Sequence, residues 1–218
     1  VAMSSPFKTI ALIGKHKNPD IVAPLLNLGR YLESRNLTVL LDNLTAATMA
    51  ESRYAAITMD EIGVRADLAI VLGGDGTMLN IARKLAPFNV PLVGINQGRL
   101  GFLTDLSIDT MRQTLGAILE GQYITEQRML LYAEVARGNV TTFGGLALND
   151  VAVNRGIGGN MIEFEVRIND EYVCLLRSDG LIVATPTGST GRCSPRASSW
   201  PSSPSSPPGR PAPPSDRR

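Results

Sequence analysis

The stretch AIVLGGDGTMLNIARK, residues 69–84, decides the fold. Its apolar β-formers, Ala69-Ile70-Val71-Leu72, end abruptly in Gly73-Gly74-Asp75-Gly76, and a helical pattern follows at once. A short apolar run ahead of a helix is how a parallel strand buried on both faces reads. Glycines at such a junction let backbone approach a ligand closely. Loops of this kind present N–H groups and a positive helix end to anions. Asp75 places a carboxylate among them, where it repels phosphate, so the acid needs another task. Two readings stand on the residues alone. In the first, the loop is a tight turn and Asp75 helps to cap a helix that Thr77 begins. In the second, Asp75 accepts a proton from a substrate hydroxyl or holds Mg²⁺, and the glycines leave room for the substrate.

The same alternation extends outward from this stretch. Residues 9–13, 37–41, 68–72 and 90–95 read as buried strands. Helices are expected from Asn18-Pro19-Asp20 onward, with Ile21, Leu25, Leu28 and Leu32 at helical spacing, then over 77–86 and over 109–119. Residues 46–59 are weakly patterned and read as a loop and a short helix. Strands alternating with helices predict an α/β N-terminal domain with a parallel sheet covered on both faces, residues 6–123. Right-handed crossovers then bring the strand ends at 73–76 and 96–101 to one rim, where open α/β sheets bind ligands.

After Tyr123 the texture changes. Ile162, Phe164, Val166 and Ile168 alternate with Glu163, Glu165 and Arg167, a strand with one wet face. Asn169-Asp170 reads as a hairpin turn, Tyr172–Leu176 as its return, and 130–135 and 146–153 as further strands. Residues 124–190 are thus expected to form an incomplete β-rich C-terminal domain. Residues 191–218 carry eight Pro, eight Ser and five Arg but no Ile, Leu, Val, Met, Phe or Tyr. Such a tail cannot bury a core and is expected to be disordered.

Composition narrows the classes. The chain has 218 residues, 44% hydrophobic and 19% charged, which is globular rather than disordered. Its net charge is +1, but the tail alone holds five Arg and one Asp, so residues 1–190 are mildly acidic. Nothing there suits a nucleic-acid surface. Cys174 and Cys193 make neither a disulfide framework nor a metal-binding pair. No apolar run approaches the roughly 18 residues of a membrane span, and a cytoplasmic setting is expected. Neither a G-x-x-x-x-G-K-[ST] loop nor a G-x-G-x-x-G fingerprint is present. Lys15, His16 and Lys17 form a basic loop, most simply a solvated one. An ion pair at a strand end is one of two readings of Arg177 and Asp179, and ligand contact is the other.

Four runs of residues, in this order and spacing, carry a resemblance. They are Gly73-Gly-Asp-Gly-Thr-Met-Leu79, Asn96-Gln-Gly-Arg-Leu-Gly-Phe-Leu-Thr-Asp105, Asn149-Asp150, and Arg177-Ser-Asp-Gly180 leading into Thr185-Pro-Thr-Gly-Ser-Thr190. Over residues 7–190 the chain resembles the bacterial NAD kinases. The resemblance implies transfer of a phosphoryl group from ATP or polyphosphate to the 2′-hydroxyl of the adenosine of NAD, giving NADP. It implies a divalent metal cation, Mg²⁺, held by the phosphates rather than by a protein cage. It makes Asp75 the proton acceptor and places Asp75, Gly76, Asn149, Asp150, Asn160, Arg177, Asp179 and Thr190 at NAD-contact positions. Asp150 stands where the family has Glu, shorter by one methylene. The partners implied are NAD and ATP, with no nucleic acid or membrane, and a homo-oligomer in the intact family. After Thr190 the family continues Ala-Tyr-Ser, whereas this chain reads Gly191-Arg-Cys-Ser-Pro195. The expectation is a C-terminally truncated or frameshifted chain with impaired activity. The alternatives are a non-catalytic dinucleotide-binding remnant and a related kinase of lipid or sugar hydroxyls.

Overall fold

The computed structural model describes residues 5–189, except 17, 50–53, 99, 100, 105 and 157–159. Lys17, Thr190 and the 191–218 tail therefore lie outside the described residues. The first part of the chain runs β1 (Thr9–Gly14), a 3₁₀ turn (Pro19–Ile21), α1 (Val22–Ser34), β2 (Thr38–Asp42), α2 (Asn43–Ala46), β3 (Ala55–Ile57), α3 (Met59–Arg65), β4 (Leu68–Leu72), α4 (Asp75–Leu85), β5 (Leu92–Asn96), β6 (Leu106–Ser107) and α5 (Met111–Leu119). The rest holds β7 (Leu131–Arg137), β8 (Val140–Ala147), β9 (Asp150–Asn154), β10 (Ile162–Ile168), β11 (Glu171–Ser178), β12 (Gly180–Ala184) and the single turn α6 (Pro186–Ser189).

The first six strands form one parallel sheet in the order β3-β2-β1-β4-β5-β6, as the alternation of strands and helices predicts. All five residues of β4 are buried, because β1 and β5 flank it and helices cover both faces. On one face, Leu25, Leu28 and Leu32 of α1 and Met111, Leu115 and Leu119 of α5 pack on Ile10, Leu12, Ile70 and Leu72. On the other, Ile62 of α3 and Met78, Ile81 and Leu85 of α4 pack on Ala11, Ile13, Ala69 and Val71. Successive strand residues thus serve opposite layers. The chain builds outward from β1 to β3, then crosses to the far side of β1, so the switch in strand order falls between β1 and β4. Register aligns Gly14 with Leu72 and Leu72 with Ile95, which levels three strand ends into one rim.

Several expectations need correction. The helix expected from Thr77 starts at Asp75, because extended Gly74 is its N-cap. Residues 46–59 also supply the edge strand β3, and α3 follows from a capping box in which Thr58 and Glu61 satisfy each other's backbone N–H groups. The strand expected over 146–153 is two strands. It breaks because the Leu148 and Asn149 carbonyls accept from Thr185 rather than from a ladder neighbour.

Residues 131–184 form three separate two-stranded antiparallel ladders, β7–β8, β9–β12 and β10–β11, the expected β-rich C-terminal region. Asn169 and Asp170 both take positive φ, 51° and 66°, in the tight turn from β10 to β11. The ladders cover each other poorly: Tyr132, Phe143, Val173 and Leu175 are each at least half exposed. Among the described residues, no helix is long and apolar enough to cross a membrane.

Candidate functional site at the strand rim

The rim gathers residues from four strand ends. A cleft of about 230 Å³ opens above β1 and β2 and is lined by Gly14, Lys15, His16, Asp42, Thr77 and Lys84, among others. Lys15 and His16 of the basic loop therefore face a cleft. Asp42, only 3% exposed, is consumed internally: both the N–H and the hydroxyl of Thr45 donate to its Oδ2 at 3.0 Å. Thr45 Oγ1 in turn accepts the Gly14 N–H at 2.9 Å. That chain of bonds fixes the mouth of β1.

Asp75 is placed differently. It is the first residue of α4, partly buried, and its side chain does not cap its own helix. Its carboxylate reaches across to the next glycine loop. Oδ2 accepts the Phe102 N–H at 2.9 Å; Oδ1 accepts the Leu103 N–H at 3.0 Å and the Thr104 hydroxyl at 3.3 Å. Asn96, at the end of β5, donates through Nδ2 to Thr104 Oγ1 at 3.2 Å. The turn reading of Asp75 is thus set aside: the acid joins the loop after β4 to the loop after β5. Beside it, Gly74 and Gly76 are open, with nothing within 4 Å of where a Cβ would stand. A ligand has room to approach that backbone.

A second cluster forms where β9, β12 and α6 meet. The Thr185 hydroxyl, buried, donates to the Leu148 carbonyl at 2.6 Å and accepts the Gly188 N–H at 3.1 Å. This packs the Thr185–Ser189 turn on the Asn149 backbone. The Asn149 side-chain Oδ1 is buried and lacks a hydrogen-bond partner among the described residues. Asp150 lines a cavity of about 570 Å³ together with Arg83, Lys84, Tyr132 and Phe143.

Arg128 connects the two clusters. Its guanidinium donates to Thr187 Oγ1 at 3.3 Å and to Glu126 Oε2 at 2.8 Å, and it lies 5.6 Å from the centroid of the Phe102 ring. One side chain therefore touches both the loop that holds Asp75 and the Thr185–Ser189 turn. Sequence reasoning missed Arg128, because an arginine in an irregular stretch carries no periodic signal. It also missed Thr104, although that residue lies inside the Asn96–Asp105 run.

The remaining candidates stand elsewhere. Asn160 precedes β10 and Arg177 lies on β11, both exposed. Of the two readings of Arg177 and Asp179, the ion pair between them is not formed. Arg177 sits opposite Glu163 in the ladder, whereas Asp179, beyond the strand end, pairs with Arg155 at 3.3 Å. Residues two apart on a continuing strand share a face, but β11 ends at Ser178, and the turn carries Asp179 to the β9 side, where its carbonyl accepts the Arg155 N–H at 3.1 Å.

Comparison with known proteins follows this geometry. The chain matches the ATP-NAD kinase N-terminal domain over residues 10–123 and the ATP-NAD kinase C-terminal domain over residues 148–197. It is 89% identical over 188 residues to an NAD kinase of Nitrosospira multiformis, covering 86% of this chain and 64% of that protein. An NAD kinase of Nitrosomonas europaea is 66% identical over 187 residues, covering 86% of this chain and 63% of the relative. The chain thus spans less than two thirds of the length of these relatives. Among solved structures, yeast NADH kinase complexed with NADH superposes with TM-score 0.76 at 21% identity, covering 85% of this chain and 59% of that one. An Archaeoglobus fulgidus NAD kinase in complex with ATP gives 0.61 at 29% identity, covering 84% and 63%.

Proposed function

The chain belongs to the NAD kinase family, and from that premise we propose that it phosphorylates the adenosine 2′-hydroxyl of NAD to give NADP. ATP is the donor in this reading. The ribose hydroxyl loses its proton to Asp75 as its oxygen attacks the γ-phosphorus, and the bond to the β–γ bridging oxygen breaks to release ADP. One observation carries the reading: the Asp75 carboxylate is fixed at the strand rim by three protein donors, beside the open backbone of Gly74 and Gly76. A carboxylate has about four acceptor sites, so three donors leave it able to take a substrate hydroxyl.

Lys15 and Lys84 give the cleft beside α4 positive charge to receive the donor's phosphates. Gly76, Asn149, Asp150, Asn160, Arg177, Asp179 and Thr190 are assigned to NAD. The orphaned Asn149 Oδ1 supports this, because a buried acceptor without a donor costs about 1–3 kcal/mol that a ligand N–H or O–H relieves. Mg²⁺ accompanies the donor. Among the described residues no three His, Cys, Asp or Glu side chains converge on a common point. Bound with the donor, Mg²⁺ would supply neutralisation of charge on the transferring group. The same reading makes residues 6–123 and 124–190 the two domains, sets the protein in the cytoplasm, takes the intact family as homo-oligomeric, and takes neither nucleic acid nor membrane as a partner.

A second reading, dinucleotide binding without turnover, draws on the exposed ladders of residues 131–184. Following NADP formation and NAD binding on the purified chain separates the two. Turnover with ATP at an impaired rate is the expected result, and Asp75→Asn lowers it at least about 100-fold further while leaving the fold intact. An Asp75→Asn protein that keeps its parent's rate removes Asp75 as the proton acceptor. Saturable NAD binding with no turnover selects the second reading.

A further inference from the structure

We propose that Thr104 is a positioning residue that orients the Asp75 carboxylate so that Oδ2, and not Oδ1, receives the substrate proton. The inference rests on the kinase reading and assigns a task within the same site. Asp75 Oδ1 already takes two donors, the Leu103 N–H and the Thr104 hydroxyl, whereas Oδ2 takes only the Phe102 N–H. With two acceptor sites on each oxygen, Oδ1 is filled and Oδ2 keeps one site. Sterics agree with that count. A Cβ added at Gly101 collides with Asp75 Oδ1 and comes within 2.7 Å of Thr104 Oγ1, so the loop backbone lies directly against that oxygen.

Thr104 itself has little freedom. It is 0% exposed, and a Cβ at Gly94 would stand 2.8 Å from its methyl group, which locates the side chain against β5. Asn96 Nδ2 donates to its oxygen, so the one hydroxyl proton is left to point at Asp75. The order of donation is therefore Asn96 to Thr104 to Asp75. Without the hydroxyl, the carboxylate keeps only its two backbone donors, and rotation about its last bond lets either oxygen face the substrate. Proton transfer depends on that orientation more than NAD binding does.

Three variants of the 218-residue chain test the assignment: Thr104→Val, Thr104→Ser and Asp75→Asn. Losing one hydrogen bond to a charged group lowers kcat about 10- to 100-fold in Thr104→Val, with KM for NAD little changed. Thr104→Ser keeps the hydroxyl and restores kcat. In ¹⁵N–¹H spectra, the Phe102 and Leu103 amide signals move in Thr104→Val and return in Thr104→Ser. If Thr104→Val does not fold, Asn96→Ala, which removes the amide that orients the hydroxyl, takes its place with the same expected loss of kcat. Parental kcat in the substituted protein overturns the proposal, as does a Thr104→Ser protein as impaired as Thr104→Val. If the parent chain shows no turnover, unmoved Phe102 and Leu103 amides overturn it. Asp75→Asn separates the two levels: a parental rate there sinks the kinase assignment of Asp75, whereas a dead Asp75→Asn with a parental Thr104→Val sinks only the role of Thr104.

Discussion

Two aspartates at strand-to-helix junctions are used in opposite ways. Asp42 folds back on the next turn and caps α2 through Thr45, so its charge is spent locally. Asp75 opens α4 but leaves its own helix uncapped and binds the loop after β5 instead. Their sequence surroundings do not separate these fates, since either acid reads as an N-cap. Gly101 makes the difference possible, because its lack of a side chain lets the loop settle against Asp75. Gly101→Ala places a methyl group against Oδ1 and pushes the carboxylate aside. Turnover is expected to fall by about 100-fold, in line with a displacement near 1 Å at a reacting group. Steady-state assays beside circular dichroism check this; a parental rate in a folded Gly101→Ala protein contradicts the geometry.

At the scale of elements, α3 shows how a short helix escapes periodicity. Its seven residues hold too few turns for an apolar stripe, yet Thr58-Met-Asp-Glu61 carries the capping signature in plain form. The Glu61 carboxyl is held below its ordinary range, first by the Thr58 backbone N–H and then by the Thr58 hydroxyl. A carboxyl lowered on folding stabilises above its unfolded pKa, and that stabilisation is lost as pH falls through the folded one. Amide protection in the first turn of α3 should therefore weaken on acidification. Glu61→Gln retains the box without a titrating group and should flatten that pH dependence, which hydrogen exchange across the acid range measures. In α1, Leu28 is wholly buried against β1 and β4, and Leu28→Ala is expected to cost about 2–5 kcal/mol in denaturant unfolding.

Across the whole molecule, stability is unevenly distributed. The parallel sheet is buried on both faces, whereas the ladders of residues 131–184 leave Tyr132, Phe143, Val173 and Leu175 largely exposed. Native-state hydrogen exchange should open β10 and β11 well before β1 and β4, since protection follows burial and contact density. Equal protection in both regions would contradict this picture. The sequence by itself determined the strands buried on both faces, the rim that collects their C-terminal ends, the Asn169-Asp170 hairpin and the candidacy of Asp75, because each depends on residues close together in the chain. Only tertiary structure decided that Asp75 joins the loop after β5, that Arg128 bridges Phe102 to Thr187, and that Asp179 pairs with Arg155 rather than Arg177. Those contacts join residues 24 to 59 positions apart, and local patterning carries no record of which distant group a side chain meets.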